Sequence, residues 1–107
     1  MRAGTGERNM TRPGKKPATQ HREAAEAIAL QGLTFLAEDP ARMLRFLKLT
    51  GLELDEVRAL AGTPELCLAV LEHLAGDESL LLIFAANRGV AAENVGRAIA
   101  VLDLVRS

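Results

Sequence analysis

The sequence predicts an all-α fold, a compact bundle of about six helices. Three observations carry this. Apolar residues recur at spacings of three and four, and no segment shows the strict alternation of a half-buried strand. Asp39-Pro40 and Thr63-Pro64 each read as an N-cap followed by proline at the first helical position. Gly51, Gly62, Gly76 and Gly89 punctuate the ends of apolar stretches.

The first helix is expected from Thr19 onward. Ala25, Ile28, Ala29, Gly32 and Leu36 follow helical spacing, and so do Leu30, Leu33 and Ala37. The second opens at Asp39-Pro40 and takes its apolar face from Met43, Leu44, Phe46 and Leu47. Gly51 is placed to end it in a left-handed turn. A short third helix opens with Asp55 and Glu56, where the helix dipole favours acidic side chains, and runs through Val57 and Leu60 to Gly62. The fourth runs from Thr63-Pro64 to Ala75 and Gly76. Asp77 caps the fifth, which ends near Gly89. The sixth spans about Ala92 to Val105, with Val95, Ala98, Ile99, Leu102 and Val105 on one face.

The chain also reads as two related three-helix units, about residues 24–61 and 62–105, at an offset of 38. Gly51 pairs with Gly89, Asp39 with Asp77, Phe46 with Phe84 and Val57 with Val95, without a gap. Two units are few for an open solenoid, so they are expected to share a core.

A length of 107 residues allows one domain, expected over residues 22–107. Residues 1–22 hold six basic residues against one acidic, net +5; the rest hold seven against thirteen, net −6. Residues 1–21 therefore read as a basic, disordered tail on an acidic body. The tail could act as an electrostatic arm for nucleic acid or anionic membrane, or be a solvated extension, with Met10 as a possible downstream start.

Composition narrows the function classes. The longest apolar run, Leu80 to Ala86, is seven residues, short of the roughly 18 needed for a membrane span. One cysteine, Cys67, forms no internal disulfide and points to a reducing cytoplasm. With no Trp, no Tyr and three Phe, aromatic platforms for single-stranded nucleic acid or sugars are scarce.

No reaction chemistry emerges. His21 and His73 have no ligands at metal spacing, and Cys67 lies six residues from His73, off its helical face. Cys67 reads as a small buried hydrophobe. Gly4 and Gly6 have no strand before them, and Ser79 and Ser107 lack a nucleophile elbow. The acidic pairs Glu38-Asp39, Asp55-Glu56 and Asp77-Glu78 all fall at helix boundaries, where capping explains them. The expectation is a non-enzymatic protein with no cofactor and no metal.

Arg42, Arg45 and Lys48, spaced by three, form the one coherent polar constellation. They suit an anionic partner, or a solvated face opposite Leu44 and Leu47. Gly51-Leu52 with Asp55-Glu56-Val57 faintly resembles a helix-turn-helix, but the acidic body argues against DNA. At the repeat offset, Arg42, Arg45 and Lys48 fall over Leu80, Ile83 and Ala86. The helix carrying Leu80 and Ile83 is apolar all round, so it is either the central helix or exposes an apolar interface.

Leu30-Gln31-Gly32-Leu33, Asp39-Pro40, Phe46 to Leu52 and Asp77 to Leu82 together resemble a family of short, uncharacterised alphaproteobacterial helical proteins, a domain-of-unknown-function family. The resemblance spans about residues 22–105. It implies a stand-alone, cytoplasmic, helical protein and brings no site residue, cofactor or partner. The expected function is a non-enzymatic protein-interaction or regulatory module, with an unknown protein partner or self-association. The alternative is a nucleic-acid-associated protein using the tail and the Arg42/Arg45/Lys48 face.

Overall fold

A computed structural model of the protein describes residues 17–106, with side chains from Gln20 on. The tail expected over residues 1–21 lies mostly outside these. Six helices follow in order: α1 (Pro17–Ala37), α2 (Pro40–Thr50), α3 (Leu54–Leu60), α4 (Pro64–Ala75), α5 (Glu78–Arg88) and α6 (Ala92–Arg106). Among the described residues there is no strand. The first described helix begins at Pro17. Pro17 stands at the first helical position, where its fixed φ and missing N–H carry no penalty.

The caps form as their residue types dictate. Asp39 Oδ1 accepts from the Ala41 N–H at 2.9 Å, Thr63 Oγ1 from the Leu66 N–H at 3.2 Å, and Asp77 Oδ1 from the Leu80 N–H at 3.1 Å. Gly51 and Gly89 close α2 and α5 in the left-handed region, with φ of 77° and 66°. α3 stops at Leu60 because Ala61 leaves the helix with ψ of 130°, and Gly62 follows in the left-handed region with φ of 91°.

α4 is the centre of the bundle. It buries Leu66, Cys67, Leu68, Val70, Leu71 and Leu74, and α1, α2, α3, α5 and α6 all pack on it. Each such side chain withdrawn from water contributes about 1.5–3 kcal/mol before the cost of ordering the chain. α6 lies against both α1 and α4, burying Val95, Ala98 and Leu102. Phe35 and Phe84 meet edge to face, 5.4 Å between centroids, joining α5 to α1. The helix of Leu80 and Ile83 is therefore not the central one. α5 fully buries Phe84 alone; Leu80 and Leu81 pack partly against the core, while Leu82 and Ile83 turn outward.

Helix boundaries follow the offset of 38 at several points. α1 and α4 end at residues 37 and 75, and α2 and α5 span 40–50 and 78–88. α3 and α6 differ, with 7 residues against 15.

Candidate interaction surface

The exposed apolar surface is concentrated. Among the described residues, eight large hydrophobic side chains are exposed, and five of them, Leu30, Leu44, Leu49, Leu54 and Leu60, fall between residues 30 and 60. Leu54 and Leu60 lie on α3, which buries only Val57, and Leu44 and Leu49 line grooves with them. A helix of seven residues is too short to persist alone. The Glu53 N–H donates to Glu56 Oε1 at 2.9 Å, and the left-handed Gly51 and Gly62 bracket the segment.

Three grooves open in this region, two of them lined by residues of α3. One, about 270 Å³, runs between α1 and α4, with Leu30, Leu33, Leu66 and Val70 on its walls and Glu23 and Glu26 at its rim. A second, about 600 Å³, lies between α1, α2 and α3. It is lined by Leu33, Ala37, Met43, Leu44, Leu47 and Leu54, among others, with Arg58 its one charged lining residue. These two grooves share Leu33, and Gly62 of the first follows Ala61 of the second. The third, about 520 Å³, has Leu49, Leu52 and Leu60 facing Glu65, Glu72 and His73.

The structure divides the three expected cationic residues. The Arg42 guanidinium sits 4.4 Å from the Phe35 ring centroid, and its Nε is 3.8 Å from Asp39 Oδ2. Arg42 is thus half-buried in packing at the α1–α2 corner, while Arg45 and Lys48 are exposed. Leu44 is not a core residue but 57% exposed. Leu80 packs partly against the core, so it does not head an exposed interface; Leu82 and Ile83, 54% and 47% exposed, carry that face of α5. The cause is helical phase: Leu80 and Phe84 are one turn apart on the docked side. Arg88 Nη2 reaches Glu38 Oε2 at 2.6 Å, tying the ends of α5 and α1.

Cys67 and His73 open on different grooves, the first and the third. Burial, then the Glu26 charge, pushes the Cys67 thiol above its usual range, which disfavours the nucleophilic thiolate. Burial also pushes His73 below its usual range; Arg45 adds to this and Asp77 opposes it. His73 stands edge-on to Phe46 at 5.2 Å, and its Nε2 is buried without a hydrogen-bond partner. The two residues do not form a nucleophile–base pair. Among the described residues no helix is long and apolar enough to cross a membrane.

The leucines about α3 went unrecognised as surface in the sequence, although one signal was present. α1 carries two apolar stripes, Ala25/Ile28/Ala29 and Leu30/Leu33/Ala37, and a single core takes only one of them fully.

Fold and surface together define a small helical-bundle domain with open apolar grooves. The chain belongs to the family described as protein of unknown function DUF3572, which matches residues 22–104. No curated protein and no solved structure matches it.

Proposed function

We propose that the protein is a non-enzymatic protein-interaction module, and that the leucine-rich surface about α3 is where it binds. One observation carries this reading: four exposed leucines, Leu44, Leu49, Leu54 and Leu60, lie on or beside a seven-residue helix that buries a single side chain, next to a groove lined almost wholly by apolar groups. Covering such a surface gains about 25 cal/mol per Å² of apolar area removed from water. A protein that keeps leucines in solvent beside a well-packed α4 has surface to spend on a partner. The lone thiol fits a reducing cytoplasmic setting for this encounter.

The nucleic-acid alternative is weaker, because Arg42 is engaged with Phe35 and Asp39, and the remaining pair, Arg45 and Lys48, sits on an acidic body. The test is a quantitative pull-down from native lysate with the parent and a Leu44→Asp/Leu54→Asp variant. Both positions are exposed, so the variant keeps its helical circular dichroism. Proteins retained by the parent and lost by the variant, insensitive to nuclease and moderate salt, are expected. Identical captures with both proteins would refute the reading.

A further inference from the structure

We infer that the groove between α2 and α4 is closed by the same groove of a second copy of this chain, the two related by a two-fold axis that runs along it. The inference rests on the interaction reading above for its apolar floor and adds the identity of the occupant. Three observations carry it.

The first is the floor. Leu49, Leu52, Leu60, Leu66 and Ala69 line a groove of about 520 Å³. Leu49 is 65% exposed, the most exposed large apolar side chain of α2. A two-fold contact removes two such floors from water at once.

The second is the charge on either side. On α4, Glu65 and Glu72 line the groove seven residues apart, which keeps them on one face of the helix. On α2, Arg45 lies one turn before Leu49, and Lys48 stands one turn on from Arg45, on the outer shoulder of that wall. All four residues are exposed, and none makes an ion pair among the described residues. The groove thus has a basic wall and an acidic wall that it holds apart.

The third is symmetry. An isologous contact pairs a patch with itself, so an axis along the groove lays the α2 wall of each copy on the α4 wall of the other. Arg45 and Glu72 sit at the same end, since Phe46 stands 5.2 Å from His73. Arg45 then comes opposite the partner's Glu72, Lys48 falls between the partner's two carboxylates, and the leucines meet in the middle. Occupants of a single sign fit less well. A polyanion meets Glu65 and Glu72, and a basic segment meets Arg45 and Lys48, so each has one like-charged wall. A second copy brings both signs in the order required. With residues 1–22 included, the chain has a formal charge of −1, so two copies approach without strong repulsion.

The test exchanges the signs of the walls. Sedimentation of the full chain at low salt is expected to show a monomer–dimer equilibrium. Arg45→Glu/Lys48→Glu makes both walls acidic, and Glu65→Lys/Glu72→Lys makes both basic. Each variant alone is expected to self-associate at least about tenfold more weakly than the parent, because several exposed pairs turn repulsive. An equimolar mixture of the two is expected to form a heterodimer about as tight as the parent dimer, since every wall again meets its opposite. That recovery needs both variants folded, so it separates charge from misfolding. Leu49→Asp is expected to weaken the parent dimer and leave the circular dichroism unchanged, its position being exposed. A parent that stays monomeric up to millimolar concentration overturns the inference. So does a mixture no more associated than its components. Self-association unchanged in both charge variants also overturns it, and moves the contact to another surface, such as residues 1–22 or Leu82 and Ile83. The interaction reading fails or stands separately, because Leu44 and Leu54 line a different groove. A monomeric parent whose lysate captures still depend on Leu44 and Leu54 removes the second copy and keeps the interaction module.

Discussion

Gly32 and Leu74 set how closely α1 approaches α4. A Cβ placed on Gly32 would stand 2.9 Å from Leu74 Cδ1 and 3.0 Å from Val70 Cγ1. Leu74 is fully buried and Val70 nearly so, so neither has room to retreat. The glycine therefore costs helix propensity, about 1 kcal/mol against alanine, and returns it as close packing of the central pair.

Gly32→Val is expected to destabilise by about 2 kcal/mol or more, from overpacking and from a β-branched side chain in a helix. Gly32→Ala should change stability much less, since the propensity gain offsets part of the crowding. Urea unfolding followed by circular dichroism checks both. A valine variant as stable as the parent would mean that α1 and α4 are not held at this distance.

Gly51 and Gly89 are glycine for another reason. Nothing lies within 4 Å of a Cβ at either site, yet φ is +77° and +66°. The cost of a side chain there is purely backbone, about 1–2 kcal/mol. Gly51→Val and Gly89→Val should each lower the melting temperature clearly, and Gly51→Asn should lower it less.

Leu80 and Ile83 should respond differently to the same charge. Leu80→Arg forces a cation toward Phe84 and the core, and is expected to unfold or strongly destabilise the protein. Ile83→Arg leaves its charge in water and should melt within about 0.5 kcal/mol of the parent. Thermal scans of the two variants decide it; equal loss would place both residues on one buried face.

His73 makes stability depend on pH. Its pKa is lower in the folded protein than in the unfolded chain, so the unfolded chain binds the proton first as pH falls. The stabilisation is fully present above about pH 6.5 and is lost as pH drops through the folded value. Unfolding by urea at a series of pH values should show this loss in the parent and a flatter profile in His73→Phe over the same window. A parent with no greater slope than the variant would remove His73 as the source.

Much of the fold was legible because its signals are local. Asp39 and Asp77 cap, Pro40 and Pro64 open, and Gly51 and Gly89 close, each through contacts within a few residues. What was not legible depends on neighbours. Leu80 to Ala86 is a purely apolar run, yet the buried centre is Pro64–Ala75, because burial is set by how many helices pack on a segment. Leu44 resembles Leu47 in sequence, yet Leu47 packs against the core and Leu44 is exposed. The grooves beside Leu33 were likewise hidden: one needs Ala61 and the other Gly62, which arrive from 28 and 29 positions further along the chain.

The short α3 has a consequence for how the bundle breathes. Its amide protons are guarded by one turn or two of hydrogen bonds and one buried valine, whereas those of α4 are guarded by the whole core. Hydrogen exchange in α3 should therefore proceed through small local openings while α4 exchanges only on global unfolding. The groove lined by Leu33, Leu44 and Leu54 then has one wall, α3, that opens far more readily than the α1 helix on its other side.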